Sequence, residues 1–470
     1  MLGFFESAMP HGTILILLGL AFGFYMAWSI GANDVANAMG TSVGSGGLTL
    51  KKAVLIAAIM EFAGAVLVGT HVTDTVRSKM FDPSLFEAQP LVLGFMAALL
   101  AAAVWLQIAT YFGWPVSTTH SIVGAVVGIG VLVGGMESIK WDKIGAIVAS
   151  WVTSPLCGGL ISFLLMYVIQ SFAITNKHPL RQTYRLIPYL MFYVAFVLCL
   201  VMVWKGLKNL NLNLGLPAAL GVSAVVGVVC AMGSLFWVSR LKRRHEEERA
   251  RRGIEVSPDL EEGIPFKRKD AEETELRPAL AAGSSLPTKR WEHRREFEFE
   301  KLERVFGSLM IISACFLAFA HGANDVANAI GPLAAILAIA KAGVVEVKAS
   351  VPIWVLMLGA AGIVLGLATW GYKVMETIGK KITTLTPSRG FAANIGAATT
   401  IVLASRLGFP ISTTHTLVGA VLGVGLARGL DSLNLRTVRD IVVSWIITIP
   451  VGAFLAMAFY YILRLVFGGG

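Results

Sequence analysis

Long runs of apolar residues, separated by short polar segments, follow one another along the whole chain. They cover positions 15–30, 53–68, 91–111, 144–169, 186–203, 218–238, 309–320, 353–370 and 441–465. A helix of about 20 apolar residues spans the hydrocarbon of a bilayer, and few soluble folds contain so many such runs. The pattern therefore predicts an all-α polytopic membrane protein, in which the shorter runs form broken or re-entrant helices.

Two polar motifs interrupt this apolar pattern, and each of them occurs twice. GANDVANA occupies 31–38 and again 322–329. The motif WPVSTTHSIVGAVVG begins at Trp114, and its counterpart FPISTTHTLVGAVLG begins at Phe409. A duplication kept only for packing would preserve the apolar pattern and not residues that are costly in a membrane. The repeated order of the motifs therefore predicts two homologous halves whose polar residues serve a function.

Charge is concentrated in the middle of a chain that is 56% hydrophobic and 14% charged. Positions 240–304 hold 17 Lys or Arg and 16 Asp or Glu residues, which predicts a loop outside the membrane. Basic residues beside spans mark orientation and do not indicate nucleic-acid binding, and here they place the loop in the cytoplasm. The predicted organisation is an N-terminal membrane repeat at 1–239, the cytoplasmic loop, and a C-terminal membrane repeat at 305–470.

Each GANDVANA octet places an aspartate between two asparagines within apolar surroundings. An ionised carboxylate at membrane depth is costly without a partner, whereas carboxylate, amide and backbone oxygens together suit Na⁺ or a proton. Gly31 and Gly322 are expected to open the helix at these points. The alternatives are helix caps on the surface and, for Glu61, a protonated packing residue. The predicted cation-coupling residues, with Na⁺ at Asp34 and Asp325, are Asn33, Asp34, Asn37, Glu61, Asn324, Asp325 and Asn328.

The PxSTTH motifs predict two helix starts that bind an oxyanion. Pro115 and Pro410 end one helical segment and favour the start of the next. The first N–H groups of a helix lack internal acceptors and lie at its positive end, so hydroxyls placed there complete an anion site without Lys or Arg. Ordinary capping of a broken helix is the compatible alternative. The predicted phosphate-binding residues are Ser117, Thr118, Thr119, Ser412, Thr413 and Thr414.

The histidines near these motifs allow more than one interpretation. His120 and His415 close the PxSTTH motifs and are expected to pack rather than to bind a ligand. His321 precedes the second octet, whereas Ile30 precedes the first. His321 is therefore either a residue whose protonation makes the two halves differ or a packing residue. Near the motifs the sequence shows no nucleophile–base pair, metal-ligand cluster or nucleotide loop, which argues against an enzyme.

Together the two motifs resemble the signature of the inorganic phosphate transporter family, often called PiT, over both half-chains but not the central loop. The resemblance implies a symporter of orthophosphate with Na⁺ or H⁺, built from inverted repeats with about twelve transmembrane segments and needing no cofactor. It assigns the paired aspartates to Asp34 and Asp325 and the first-half glutamate to Glu61. Several members carry a second glutamate in an RGF-x-x-E context. This chain has RGFAAN instead, so the resemblance assigns Asn394 to the cation site in place of that glutamate. This change leaves the coupling ion open.

The sequence thus predicts cation-coupled phosphate symport by alternating access in a plasma membrane, the inner membrane for a bacterial protein. A sulfate permease on the same scaffold is the first alternative, and an anion channel is an alternative from a different class. A metal–phosphate complex as substrate and a homodimer remain open. The expected partners are phosphate and the lipid bilayer, and no nucleic acid.

Overall fold

The structure is a computed structural model that describes residues 7–69, 72–73, 80–81, 85–204, 214–252, 287–345, 351–375, 385–429 and 433–468. The side chains of residues 36, 37, 287–294 and 435 are outside this description. Asn37, one of the predicted cation-coupling residues, is therefore placed by its backbone alone. The predicted loop at 240–304 is described only at its two ends.

Thirteen α-helices account for most of the described residues. They are α1 (Gly12–Ile30), α2 (Ala36–Gly44), α3 (Leu50–Val68), α4 (Ala88–Tyr111), α5 (Thr118–Gly134), α6 (Trp141–Ile169), α7 (Pro179–Val203), α8 (Leu216–Arg251), α9 (Pro287–Ala342), α10 (Ile353–Trp370), α11 (Pro387–Leu407), α12 (Thr413–Leu426) and α13 (Leu435–Phe467). Five-residue π-helical turns, Gly31–Val35 and Gln170–Ile174, follow α1 and α6.

The lengths and composition of these helices are those of an integral membrane protein. Within the described residues, nine helices are long and apolar enough to cross a membrane. The two shorter apolar helices, α5 and α12, are the ones that begin at the PxSTTH motifs. This agrees with the predicted all-α polytopic protein with broken helices. The predicted number of about twelve segments is not confirmed.

The helices divide into two compact units that do not follow the order of the chain. The first unit runs to Phe163 and resumes at Met310, so it contains the described parts of all four motifs. The second unit comprises 164–206 and 213–309, and thus α7, α8, the end of α6 and the start of α9. The apolar runs at 186–203 and 218–238 have no counterpart in the second half of the sequence, and both belong to this second unit.

Glycines at corresponding positions bring helices from the two halves of the chain into close contact. A Cβ atom on Gly31 would lie 1.8 Å from the carbonyl oxygen of Ile363, and one on Gly322 would lie 2.3 Å from that of Glu61. A turn away, Gly366 meets the Trp28 carbonyl and Gly64 meets the Phe319 carbonyl in the same way. The end of α1 therefore packs on α10 through the same kind of backbone contact by which α3 packs on α9. In this packing Ile363 is the counterpart of Glu61.

Candidate functional site

The two octets differ in their backbone although their sequences are identical. The first forms the π-helical turn Gly31–Val35 and continues into α2. The second lies inside the 56-residue helix α9. The prediction that Gly322 opens the helix is therefore wrong, because glycine permits an irregular backbone but does not impose one, and the surrounding residues continue the helix.

The PxSTTH motifs form the two predicted helix starts. Ser117 is the N-cap of α5 and accepts a hydrogen bond from the backbone N–H of His120 at 3.1 Å. Ser412 caps α12 in the same way, through the N–H of His415 at 3.2 Å. Such caps satisfy one of the free N–H groups of each helix and leave the neighbouring threonines at its positive end. The prediction of broken helices at Pro115 and Pro410 is confirmed.

Each aspartate of the octets accepts a hydrogen bond from the helix start of its own half. Thr118 donates to Asp34 Oδ2 at 2.7 Å, and Thr413 donates to Asp325 Oδ2 at 2.6 Å. Asp34 also accepts the hydroxyl of Thr414 from the other half, 380 positions away in the sequence. One carboxylate thus holds a hydroxyl from each of the two helix starts.

The two halves share one site. Thr119 donates to the carbonyl of Ile411 at 3.0 Å, and Asn328 donates to the hydroxyls of Thr118 and Thr119 at 3.3 and 3.2 Å. Ligand atoms of Asp34, His321 and Asp325 all lie within 4.8 Å of one another. All these side chains are buried, with Asp34 only 2% exposed, so the site among the described residues is shielded from water.

Asn33 directs its amide nitrogen away from the aspartate beside it. Nδ2 donates to the hydroxyl of Thr110 at 3.0 Å and to the carbonyl of Trp114 at 3.1 Å. The carbonyl oxygen Oδ1 is buried and has no hydrogen-bond donor among the described groups. A buried carbonyl oxygen without a donor is unfavourable unless another positive group binds it.

Asn324 repeats this arrangement in the second half. Its amide lies 2.9 Å from the hydroxyl of Ser405, and that hydroxyl donates its own proton to the carbonyl of Ile401 at 2.7 Å. The reversed amide would accept from Ser405 and donate to Asp325 Oδ1 and the Ile411 carbonyl, whereas the amide nitrogen facing Ser405 also has the Phe409 carbonyl at 3.4 Å and matches the orientation of Asn33. In this orientation Asn324 Oδ1 lies 3.1 Å from Asp325 Oδ1 and 3.2 Å from the carbonyl oxygen of Ile411. Three converging oxygens repel one another unless a cation or a proton lies between them.

Glu61, His321 and Asp325 form a second buried polar group. His321 Nδ1 lies 2.9 Å from Glu61 Oε2. Its Nε2 lies 2.6 Å from Asp325 Oδ2, within ion-pair distance but poorly aligned for a hydrogen bond. The corresponding residues of the other half are Ile30 and Ile363, both fully buried. At this pair of positions one half of the site is polar and the other is apolar, and His321 joins Glu61 to Asp325.

Asn394 lies in a different group of hydrogen bonds. Its Oδ1 accepts from Thr41 at 2.5 Å, and its Nδ2 donates to Ser42 at 3.0 Å and to Ser313 at 3.2 Å. These three contacts are with hydroxyls and not with the aspartates or Glu61. The structure thus places Asn394, which was predicted as a member of the cation site, inside an uncharged network.

Sequence reasoning missed the groups that orient the asparagines. Thr110 and Ser405 each stand four residues before the aromatic residue that opens a PxSTTH motif, and this common spacing was the available signal. The backbone carbonyl of Val116, which lies 3.4 Å from the hydroxyl of Thr414, and that of Ile411 left no signal in the sequence. His120 and His415 pack with ring centroids 4.2 Å apart, against Trp151 at 3.8 Å and Trp445 at 3.5 Å respectively, as expected for packing residues.

Apolar membrane-length helices around a buried site of carboxylates, amide oxygens and two helix starts define an integral membrane transporter. The model of the phosphate transporter family matches residues 30–456, and the chain belongs to that family. It is 44% identical to Inorganic phosphate transporter 2-1, chloroplastic, of Arabidopsis thaliana, over 94% of this chain and 71% of the other.

A solved structure gives the same result for the fold. The structure described as "The sodium-dependent phosphate transporter" matches with a TM-score of 0.80 and 38% identity, covering 96% of this chain and 100% of that one. These relatives are transporters, and the protein is a transporter and not an enzyme.

Proposed function

We propose that the protein carries inorganic phosphate together with Na⁺ by alternating access, and that the shared site binds both. The observation that supports this most strongly is Asp34, which accepts Thr118 from one helix start and Thr414 from the other. A carboxylate that binds a cation and also holds the hydroxyls of an anion site links the two ligands directly. Family membership and the sodium-dependent relative support phosphate and Na⁺ as these ligands.

Phosphate would bind between the starts of α5 and α12. The six predicted residues of the two Ser-Thr-Thr segments supply hydroxyls and helix N-termini, which suit a tetrahedral oxyanion. Phosphate has a protonated oxygen that sulfate lacks near neutral pH, and a carboxylate can accept that proton. The proximity of the aspartates to both helix starts therefore favours phosphate over sulfate.

Na⁺ would bind to the oxygen atoms beside each aspartate. In the second half these are Asn324 Oδ1, Asp325 Oδ1 and the Ile411 carbonyl, and in the first half Asn33 Oδ1 and Asp34 provide the corresponding atoms. Oxygen ligands of this kind suit a hard cation. A proton on the carboxylate is the alternative, and separately imposed gradients distinguish the two ions.

Coupling follows from the hydroxyls that the two ligands share. Without a cation, the hydroxyls of Thr118 and Thr413 are donated to the aspartates. A bound Na⁺ compensates the carboxylate charge, so these hydroxyls can turn to phosphate. The linkage is reciprocal: phosphate must raise the affinity for Na⁺ by the same factor. Matched glycine contacts between the halves support inverted repeats that move against each other.

We place the transporter in a plasma membrane, the inner membrane for a bacterial protein, with the charged segment at 240–304 in the cytoplasm. The basic residues at both ends of this segment support the orientation. Transport itself is tested with purified protein in liposomes and radiolabelled phosphate, under Na⁺ and H⁺ gradients imposed separately. A symporter concentrates phosphate when only the Na⁺ gradient is present, whereas an anion channel does not.

A metal–phosphate complex is a second candidate substrate. Asp34, His321 and Asp325 offer two carboxylates and one imidazole within 4.8 Å, a ligand set that also suits a divalent metal ion. If the complex is carried, radiolabelled Zn²⁺ or Mg²⁺ enters liposomes in proportion to phosphate. Equal phosphate uptake in the presence of a chelator would exclude this substrate.

Removing two hydroxyls from one helix start is expected to weaken phosphate binding. Ser117→Ala with Thr118→Val should raise the phosphate KM at least tenfold, since each hydrogen bond to a charged ligand contributes about 1.5–3 kcal/mol. The control is Ser150→Ala, because that hydroxyl donates only to the carbonyl of Ile147 in its own helix. A phosphate KM equal to that of the control would remove this helix start from the anion site.

Removing the asparagine oxygens is expected to weaken Na⁺ binding more than phosphate binding. Asn33→Leu and Asn324→Leu should each raise the Na⁺ concentration for half-maximal uptake about tenfold, because a cation ligand is lost. At saturating Na⁺ the phosphate KM should change less. Asn434→Ala, which alters an exposed helix cap, is the control. An unchanged Na⁺ dependence in both Leu variants would contradict these cation sites.

A further inference from the structure

A cavity of about 500 Å³ lies within the second unit, apart from the residues proposed for transport. Its lining comes from the start of α7, the charged end of α8 and the start of α9. The floor is aromatic and buried: it contains Tyr184, His245 and Phe297, and the hydroxyl of Tyr184 lies 2.5 Å from His245 Nδ1. This floor offers flat, largely apolar surface to an organic group.

Basic side chains form the wall of this cavity. Arg181, Lys242 and Arg249 line it, together with the acids Glu246 and Glu298. Lys242 Nζ lies 5.6 Å from the centre of the Tyr184 ring. Among the described residues, no ion pair joins these three basic side chains to a carboxylate. Three basic side chains thus line the cavity against two acidic ones.

The neighbouring charges of the same helices are already paired. Glu248 lies 2.7 Å from Arg252 and also contacts Lys301, whose side chain is fully buried. Glu300 lies 2.8 Å from Arg304 and 3.1 Å from Arg252. These pairs join α8 to α9 and hold the wall of the cavity in place. The chain thus separates a structural group of ion pairs from a group of basic residues that face a cavity.

We propose that this cavity binds a phosphate-bearing organic molecule. Arg181, Lys242 and Arg249 would bind the phosphate group, since guanidinium groups form paired hydrogen bonds with phosphate oxygens. Tyr184 and Phe297 would contact the organic part. Orthophosphate alone is far smaller than the cavity, whose volume is typical of sites for small organic molecules. The proposal does not depend on the transported substrate.

Such a phosphate group has two sources. The cavity is lined where the apolar parts of α7 and α8 give way to charged residues, which is the depth of lipid headgroups. The phosphate group is therefore either that of an anionic lipid or that of a soluble phosphomonoester. Both would use the same three basic side chains, so the same variants test both sources.

The test measures binding to the full-length protein with two separate probes. Adenosine 5′-monophosphate represents the soluble source, and nanodiscs of phosphatidylglycerol compared with phosphatidylcholine represent the lipid. Orthophosphate is avoided because it would also bind the transport site. Binding is read from ligand-dependent thermal stabilisation and from equilibrium titration. Binding of either probe supports the proposal and identifies the source.

The variant Arg181→Gln/Arg249→Gln should bind the recognised probe at least tenfold more weakly than wild type. The control Arg185→Gln/Arg244→Gln removes the same charge from exposed positions on the same helices that do not line the cavity. Lys242→Gln against Arg243→Gln repeats the comparison if the double variant does not fold. Na⁺-driven phosphate uptake is measured for each variant, and uptake at the wild-type level shows that the transport unit of that variant is intact. Binding of neither probe, or equal loss in variant and control, would overturn the proposal.

Discussion

Asp34→Asn is expected to reduce Na⁺-driven phosphate uptake at least 100-fold while the protein still inserts and folds. The amide keeps the shape of the side chain but carries no charge, so the site loses the anion that attracts Na⁺. It also places N–H groups against the hydroxyls of Thr118 and Thr414, which now donate to the carboxylate. A 100-fold loss corresponds to about 2.7 kcal/mol, and removing one partner of a buried charge pair weakens binding by about 2–5 kcal/mol.

The measurement for Asp34→Asn is radiolabelled phosphate uptake in liposomes under a Na⁺ gradient. Asp142→Asn, which removes a carboxylate from an exposed position of α6, is the matched control. Thermal unfolding in detergent shows whether the variant is folded. Uptake by Asp34→Asn at the level of Asp142→Asn would contradict the assignment of the first octet.

His321→Ile is expected to lower stability strongly, and a second substitution should recover most of the loss. The single variant leaves the buried carboxylates of Glu61 and Asp325 without the imidazole between them, at a cost of about 3–5 kcal/mol. The double variant Glu61→Ile/His321→Ile installs the residue type found at Ile30 and Ile363, where the other half packs an apolar pair. Removing both polar partners avoids the unpaired group.

A double-mutant cycle with thermal unfolding measures this effect. The double variant should unfold at a higher temperature than His321→Ile, with a coupling energy of about 2–3 kcal/mol. Its phosphate uptake should stay low, because Asp325 has lost His321. Additive losses of stability would show that Glu61 and His321 do not act as a pair. The variant Ile30→Val, a small change at the corresponding apolar position, controls for altered packing.

The sequence indicated which motifs come together within one half better than which contacts join the two halves. Thr118 and Thr413 were assigned from the helix-start motif, and the structure brings both to the predicted aspartates. Each of these contacts joins the octet and the PxSTTH motif of the same half, and both motifs are visible in the sequence. The contact of Thr414 with Asp34 could not be derived, since it depends on how two halves pack across 380 positions. Local patterns contain no information about such a crossing.

Two other features show where local reasoning ends. The pairing of Glu61 with His321 depends on a close approach of α3 to Gly322, which no spacing in the sequence indicates. The identical octets adopt a π-helical turn in one half and a regular helix in the other. Tertiary packing decides between backbone forms that the same eight residues allow equally.

The contact between Asp34 in the first half and Thr414 in the second has a consequence for the synthesis of the chain. Asp34 emerges from the ribosome 380 residues before Thr414, so at about 5–20 residues per second it waits roughly 20–80 s for this partner. During that time the first GANDVANA segment must persist in the bilayer with only the contacts of its own half. Thr118, which is made 84 residues after Asp34, then offers a hydroxyl of the same half that shields the nascent acid from lipid.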